Sequence, residues 1–245
     1  MKISVKNLAA ITVIVLPLSL SAFNSKGLST GFGEHGDITD KALTDLGFSA
    51  HARFIVEKAN VSQDVFIRQI HLKRHFDRLP NERMEKAYKR SIPYLERERE
   101  RIMKYMLAGD YKRSLKAFGR SLHTIQDVFA HSNYCDMTDA DQKQFVESVV
   151  GLKYDFPESA MIVSSPFGDR ADRYRYSHRE HAKDSKDYPE GPEAFERAMA
   201  GALEASSRYA VTVKEELAKR LDEAYGKEEA ETRSEEIWGK FRNCE

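Results

Sequence analysis

A row of polar side chains inside an apolar helix constrains the fold of this chain more than any other feature. His123, Asp127 and His131 recur at four-residue intervals in a strongly helical stretch. Positions four apart lie on one face of an α-helix, so two imidazoles and a carboxylate project in the same direction. Neutral imidazole and carboxylate together suit zinc and similar divalent cations. The row predicts a metal site on a helix, and the alternative is a set of satisfied core or surface histidines.

The helix that carries this row is predicted to pack into the core. Its apolar residues recur at alternating spacings of four and three, which marks one helix face. These residues are Tyr111, Leu115, Phe118, Leu122, Ile125 and Phe129. The polar row lies beside this seam, so we expect the candidate ligands to border the core. Gly119 lacks a side chain, which would permit a second helix to approach closely.

Composition favours helices over the rest of the chain. Charged residues make up 32% of the 245 residues, while there are only 13 glycines and 7 prolines. We therefore expect an all-α fold, a single-domain multi-helix bundle with the metal site between core helices. Residues 151–191 are predicted to form one long irregular segment. Further helices are predicted from Asp37, over 50–59, over 62–72, from Asn81 to about Arg90, from Pro93, over 138–150 and from Pro192.

The first 22 residues have the pattern of a secretory signal peptide. Lys2 and Lys6 precede an apolar run over residues 8–20, and small residues up to Ala22 suit cleavage. We expect cleavage after Ala22 and export to the periplasm or the medium, with an uncleaved anchor as the alternative.

The remaining chain divides into a domain and a tail. We expect the helical domain to cover residues 23–221, and residues 222–245 to form a charged, partly disordered tail in which Trp238 and Phe241 dock. The 39 basic and 39 acidic residues cancel, so charge gives no argument for nucleic-acid binding. The only two cysteines, Cys135 and Cys244, are able to pair in an oxidising compartment.

Three other stretches carry potential metal ligands. Glu34-His-Gly-Asp37 stands just before a predicted helix, Arg74-His-Phe-Asp77 stands in a predicted loop, and residues 176–184 stand in the irregular segment. A loop histidine or aspartate is usually only solvated, so each stretch alone is a weak signal. Together with the helical row, they favour a metal site assembled from several parts of the chain.

Residues 118–134 read Phe-Gly-Arg-Ser-Leu-His-Thr-Ile-Gln-Asp-Val-Phe-Ala-His-Ser-Asn-Tyr. This block resembles the signature helix of the zinc-dependent phospholipase C and P1 nuclease superfamily. It is more similar still to the branch related to the fungal heterokaryon-incompatibility protein Het-C. Residues 107–111, 34–40 and 178–184 resemble further motifs of that branch, and the resemblance covers most of residues 34–215.

The resemblance implies a clustered site with two or three zinc ions. The implied zinc ligands are His35, Asp77, His123, Asp127, His131, His178 and Asp184. Asp77 is also implied as the general base. We assign Asn133 and Asp136, which follow the signature helix, to substrate binding.

The function implied by the resemblance is that of a secreted zinc-dependent phosphodiesterase of phospholipase C type. In such an enzyme a metal-activated water attacks the phosphodiester of a phospholipid. The expected partner is therefore a phospholipid substrate or a membrane surface. Phe156, Phe167, Tyr174 and Tyr176 would form an aromatic rim that contacts lipid, or they are ordinary surface aromatics.

Two alternatives remain open. One is a P1-like nuclease acting on single strands, against which the neutral charge argues. The other is a non-catalytic, Het-C-like envelope or membrane-interacting protein with a structural or depleted metal site. The family has a histidine between the Asp77 position and the signature helix, whereas this chain has none between His75 and His123. Glu96 or Glu98 would then have to take its place.

Overall fold

A computed structural model describes residues 33–65, 68, 70–165, 172–187 and 189–244 of the chain. The segment predicted as a signal peptide lies outside these residues. Over the described residues the fold is all-α, as predicted, and its few β-bridges are isolated ones. No helix in this part of the chain has both the length and the apolarity needed to cross a membrane.

Helices follow one another along the described chain with short connections. They are α1 (Gly33–Asp45), α2 (Ala50–Val61), α3 (Leu72–His75), α4 (Glu85–Leu107), α5 (Tyr111–Ala130), α6 (Asp139–Gly151), α7 (His178–His181), α8 (Gly191–Tyr225) and α9 (Lys227–Asn243). Short 3-10 turns at Ser62–Asp64 and Tyr134–Asp136 follow α2 and α5.

The central element is α5, and sixteen of its twenty residues are buried. The six apolar residues of the predicted seam are all among them. The other faces are covered as well, because α2, α4 and α8 pack around the same helix. His123 and Asp127 therefore lie in the interior of the molecule rather than at the border of the core.

Two predictions about the helices before α5 were wrong. Residues 62–72 do not form one helix, because the chain turns there and directs Asp64 and His75 into the interior. The predicted break before Pro93 is also missing, since α4 runs through this proline. A proline removes one backbone hydrogen bond, and here packing on α5 keeps the helix continuous.

The C-terminal residues 222–245, predicted as a partly disordered tail, instead continue the helical packing as the end of α8 and α9. The apolar side chains of α9 recur on one face, and this face is buried. Trp238 and Phe241 dock as predicted, each with its ring centroid 5.7 Å from that of Phe48.

The described part of residues 151–191 is irregular, as predicted, apart from the single turn of α7. Residues 160–165 lie among three other parts of the chain and hold them together. Three isolated β-bridges make these connections: Ser132 with Ile162, Ser164 with Arg78, and Ser164 with Ser177. The thiols of Cys135 and Cys244 are both free.

Candidate metal centre

Nine ionisable side chains are buried together beside α5. They are His35, Asp64, His75, Asp77, His123, Asp127, His131, His178 and Asp184, and none is more than 5% exposed. They come from α1, the 3-10 turn after α2, α3 and the loop after it, α5 and its C-cap, and α7 and the loop after it. So many buried ionisable groups are tolerated only when they bind one another or a cation.

The first cluster consists of His35, Asp64, His75, His123 and Asp127. Asp127 lies at its centre and its two oxygens face different histidines. Oδ1 lies 3.0 Å from His35 Nε2, whereas Oδ2 lies 2.8 Å from His75 Nδ1 and 3.1 Å from His123 Nε2. A carboxylate arranged in this way is suited to bridge two cations.

Asp64 is the second carboxylate of the first cluster, and it faces the same three histidines as Asp127. Its Oδ1 lies 3.5 Å from His123 Nε2 and 3.8 Å from His75 Nδ1, and its Oδ2 lies 3.9 Å from His35 Nε2. Ligand atoms about 2.0–2.2 Å from one zinc ion lie roughly 3–3.5 Å from each other. Most spacings in the cluster are close to this range, so its donor set fits a cation shared between imidazoles and carboxylates.

The imidazoles of the first cluster are held so that one nitrogen lone pair faces inward. In each ring the outer nitrogen donates to a protein oxygen: His35 Nδ1 to Gln126 Oε1 (2.7 Å), His123 Nδ1 to Asn60 Oδ1 (3.1 Å) and His75 Nε2 to Arg68 O (3.2 Å). A neutral ring that donates through one nitrogen offers the other as a metal ligand.

A buried hydrogen-bond network fixes the two amides that accept from these histidines. The NH2 groups of Asn60 and Gln126 both donate to Thr39 Oγ1, at 2.9 and 3.0 Å. Gln126 donates also to Ser206 Oγ, at 3.2 Å. Because the nitrogens are used in this way, the amide oxygens are the atoms turned toward His35 and His123.

The second cluster consists of His131, His178 and Asp184. The two Nε2 atoms lie 3.1 Å apart, and the Asp184 oxygens lie 3.4 Å from His131 Nε2 and 3.3 Å from His178 Nε2. Both oxygens of Asp184 are buried, and neither accepts a hydrogen bond from the described residues. A cation between the three groups would satisfy all of them, so this donor set fits a metal ion too.

Asp77 lies beside the Nδ1 atom of His131, whereas His178 and Asp184 lie beside its Nε2 atom. His131 Nδ1 donates to the backbone oxygen of His75 at 2.8 Å, and Asp77 Oδ1 lies 2.9 Å from the same Nδ1. Phe76, between them, has a left-handed backbone with φ of 60°, which turns the chain between the two clusters. The structure thus places Asp77 beside the outer nitrogen of a candidate ligand.

Opposing effects act on the protonation of the clusters. Burial tends to lower the pKa of His35, but the hydrogen bond and charge of Asp127 outweigh it and raise this pKa to about 9. Burial likewise opposes protonation of His131, yet Asp77 and Asp184 hold its pKa above the ordinary value. Burial lowers the pKa of His123. The carboxylates that attract these protons would equally attract a cation, so metal binding would release protons.

Two residues that matter here were not selected from the sequence, Asp64 and His75. His75 stands in the Arg74-His-Phe-Asp77 stretch, which did signal donors. Asp64 follows the end of α2, where no periodicity marks it. Together they add a carboxylate and an imidazole to the first cluster, to which neither Glu96 nor Glu98 belongs. Glu96 is exposed, and Glu98 instead pairs with arginines.

Asn133 and Asp136, which were predicted to bind substrate, belong to neither cluster. The side-chain amide of Asn133 donates to Ser159 O at 3.0 Å and accepts from Met161 N at 2.7 Å. It therefore holds the irregular segment against the end of α5. Asp136 is exposed in the 3-10 turn that follows.

The residues of the predicted aromatic rim differ in exposure. Phe156 stacks on Tyr88 with a centroid distance of 3.9 Å, and Tyr176 is buried. Tyr174 is half-buried, and Phe167 lies outside the described residues. An open groove of about 700 Å³ runs past Tyr88, Phe156 and Tyr174, but no residue of the two clusters lines it.

We compared the chain with models of protein families, with curated proteins and with solved structures, and found no match. The resemblance to the phospholipase C and P1 nuclease superfamily therefore rests on its motifs.

Proposed function

We propose that this protein is an exported, zinc-dependent phosphodiester hydrolase of phospholipase C type. The observation that carries the proposal is the orientation of the histidines. His35, His75, His123 and His131 each donate a hydrogen bond through the outer nitrogen, so the lone pairs of the inner nitrogens converge on buried carboxylates. Export is proposed from the N-terminal pattern of lysines, apolar run and small residues.

The donor atoms form three potential metal positions. Position 1 is formed by His75, His123, Asp64 and Asp127, position 2 by His35, Asp64 and Asp127, and position 3 by His131, His178 and Asp184. Catalytic zinc sites typically have three protein ligands and one open coordination site. Positions 2 and 3 have three each, which favours catalysis over a purely structural role.

Zinc, when bound, would act as a Lewis acid toward phosphoryl oxygens and lower the pKa of a coordinated water. Asp64 is the residue that we assign as the proton acceptor. Its side chain is shared by positions 1 and 2 and keeps a 3% exposed fraction, whereas that of Asp127 is fully enclosed. Asp77, implied as base by the resemblance, would instead orient His131.

The phospholipid substrate is proposed from the resemblance, and a membrane surface is the corresponding partner. The non-catalytic alternative drew its support from an incomplete ligand set. Asp64 and His75 weaken that support, because they complete position 1 without any glutamate of α4.

The experiment is a side-by-side assay of the zinc-loaded protein on phospholipid vesicles and on single-stranded DNA. We expect headgroup release from vesicles. His123→Ala should reduce it to background, because position 1 loses a ligand, while the matched variant of the exposed His51, His51→Ala, should keep it. Turnover of DNA alone would support the nuclease, and full metal content without turnover of either substrate would support the non-catalytic protein.

A further inference from the structure

Lys183 is a fully buried cation that the proposed chemistry does not use. Its exposed fraction is 1%, although a lysine side chain is normally exposed. No carboxylate of the described residues lies within ion-pairing distance of its ammonium group, whereas the other fully buried cation, Arg78, pairs with Asp172. Burying an ammonium group without a carboxylate partner is unfavourable, so an apolar side chain would be favoured at this position unless the ammonium group has a specific role.

Each proton of the Lys183 ammonium group has an acceptor. Nζ donates to the backbone oxygens of Ser132 (2.9 Å) and His181 (2.8 Å), and to the hydroxyl of Tyr176 (3.2 Å). The backbone nitrogen of Lys183 donates to Ala130 O at 2.9 Å. The residue is thus attached by both its backbone and its side chain to the chain on either side of His131.

These contacts determine where two ligands of position 3 lie. Asp184 directly follows Lys183, and the His181 carbonyl ends the α7 turn that begins with His178. Fixing Lys183 to Ala130 and Ser132 therefore sets Asp184 and His178 against the His131 ring, at the 3.1–3.4 Å spacing of the second cluster.

We propose that Lys183 is a positioning residue for metal position 3: its ammonium group ties the end of α5 to α7 and so holds His131, His178 and Asp184 in ligand geometry. The inference rests on the proposed function, since it requires that this position binds a metal. Outer partners of metal ligands typically change metal affinity about 10- to 100-fold when removed.

The test is a zinc titration of the metal-free purified protein against a competing chelator, with the wild type, Lys183→Met, Tyr176→Phe and Asp184→Asn compared. We expect Lys183→Met to lower the affinity for one zinc ion by about 10- to 100-fold and to leave the affinities for the others unchanged. Tyr176→Phe removes one of the three hydrogen-bond acceptors of Lys183, so the affinity for the same ion should fall by a smaller factor. Asp184→Asn, which removes a carboxylate ligand, should abolish binding of that ion. Thermal unfolding of each metal-free variant reports stability separately.

Three results would overturn the inference. In the first, Lys183→Met lowers the melting temperature of the metal-free protein while every zinc affinity stays at the wild-type value, so the lysine serves stability alone. In the second, the affinities of all ions fall together. In the third, Lys183→Met fails to fold and Tyr176→Phe binds zinc like the wild type. A wild type that binds no zinc would instead refute the proposed function, a different outcome from any of these.

Discussion

At the scale of single residues, the outer hydrogen bonds of the histidines matter as much as the ligands themselves. Asn60 and Gln126 carry no charge and bind no metal in this account, yet they select which nitrogen of His123 and His35 faces the cluster. Thr39 in turn fixes both amides. The metal centre therefore depends on a layer of neutral side chains around it.

Glu57 gives a prediction about pH. It is 5% exposed, and burial together with the nearby Asp40 raises its pKa from 4.5 to about 7, against the opposing charge of Arg53. The folded protein therefore holds this proton more tightly than the unfolded chain does. The resulting stability is complete below pH 4.5 and is lost as pH rises through 7, by up to about 3 kcal/mol.

The variant Glu57→Gln keeps the shape of the side chain and cannot ionise. We measure the free energy of unfolding of the variant and of the wild type by urea denaturation. The variant should gain stability relative to the wild type between about pH 5 and about pH 8, because only the wild type then has to ionise a buried carboxyl group. Glu147→Gln, at an exposed position of α6, should show no such trend. An equal difference between Glu57→Gln and the wild type at both pH values would contradict the assignment.

The sequence predicted the kinds of residue in the site better than it predicted the complete set. His123, Asp127 and His131 stood out because helical periodicity marks residues on one face. Asp64 had no such signal, since its position depends on how the chain turns after α2. Which nitrogen of each ring faces inward depends on tertiary partners such as Gln126, and a sequence pattern does not contain that information.

At the scale of elements, α5 is buried on all sides because three helices pack around it. One of them, α2, approaches α5 closely at Gly119. At Gly119, an added Cβ would overlap the backbone oxygen of Val56 and lie 2.9 Å from Ala59 Cβ. The glycine thus permits the close approach that the sequence suggested, and α2 carries Asn60 into the metal centre.

Gly119→Ala should force α2 away from α5. We expect a loss of about 1–3 kcal/mol in the free energy of unfolding, as for other overpacked cores. Gly239→Ala is the matched control, because an added Cβ at this helical position meets nothing within 4 Å. It should stabilise α9 by about 0.5–1 kcal/mol. Equal effects of the two substitutions in urea denaturation would show that the α2–α5 contact tolerates a side chain.

Long periodic helices were predicted well, and short or interrupted ones were not. The patterns of α5, α6 and α8 run over many residues, so their hydrophobic faces are unambiguous. Residues 62–75 are apolar and basic without a period, and there the backbone turns and Asp64 and His75 are buried. The face of α9 was hidden in a charge-rich tail, because only a few apolar residues define it.

At the scale of the whole molecule, the metal centre joins parts of the chain that are far apart in sequence. Its donors extend from His35 in α1 to Asp184 after α7, and they come from several separately packed parts of the chain. The buried carboxylates that converge there repel one another unless protons or cations lie between them. We infer that metal ions take that place.

The most direct measurement of this claim is the metal content of the protein, purified without chelators, by elemental mass spectrometry. Three potential positions built from eight buried histidine and aspartate side chains predict two or three zinc ions per chain. His123→Ala should carry fewer ions, whereas His51→Ala should match the wild type. Zero or one ion per chain in the wild type would contradict the account and leave the clusters as protonated, structural networks.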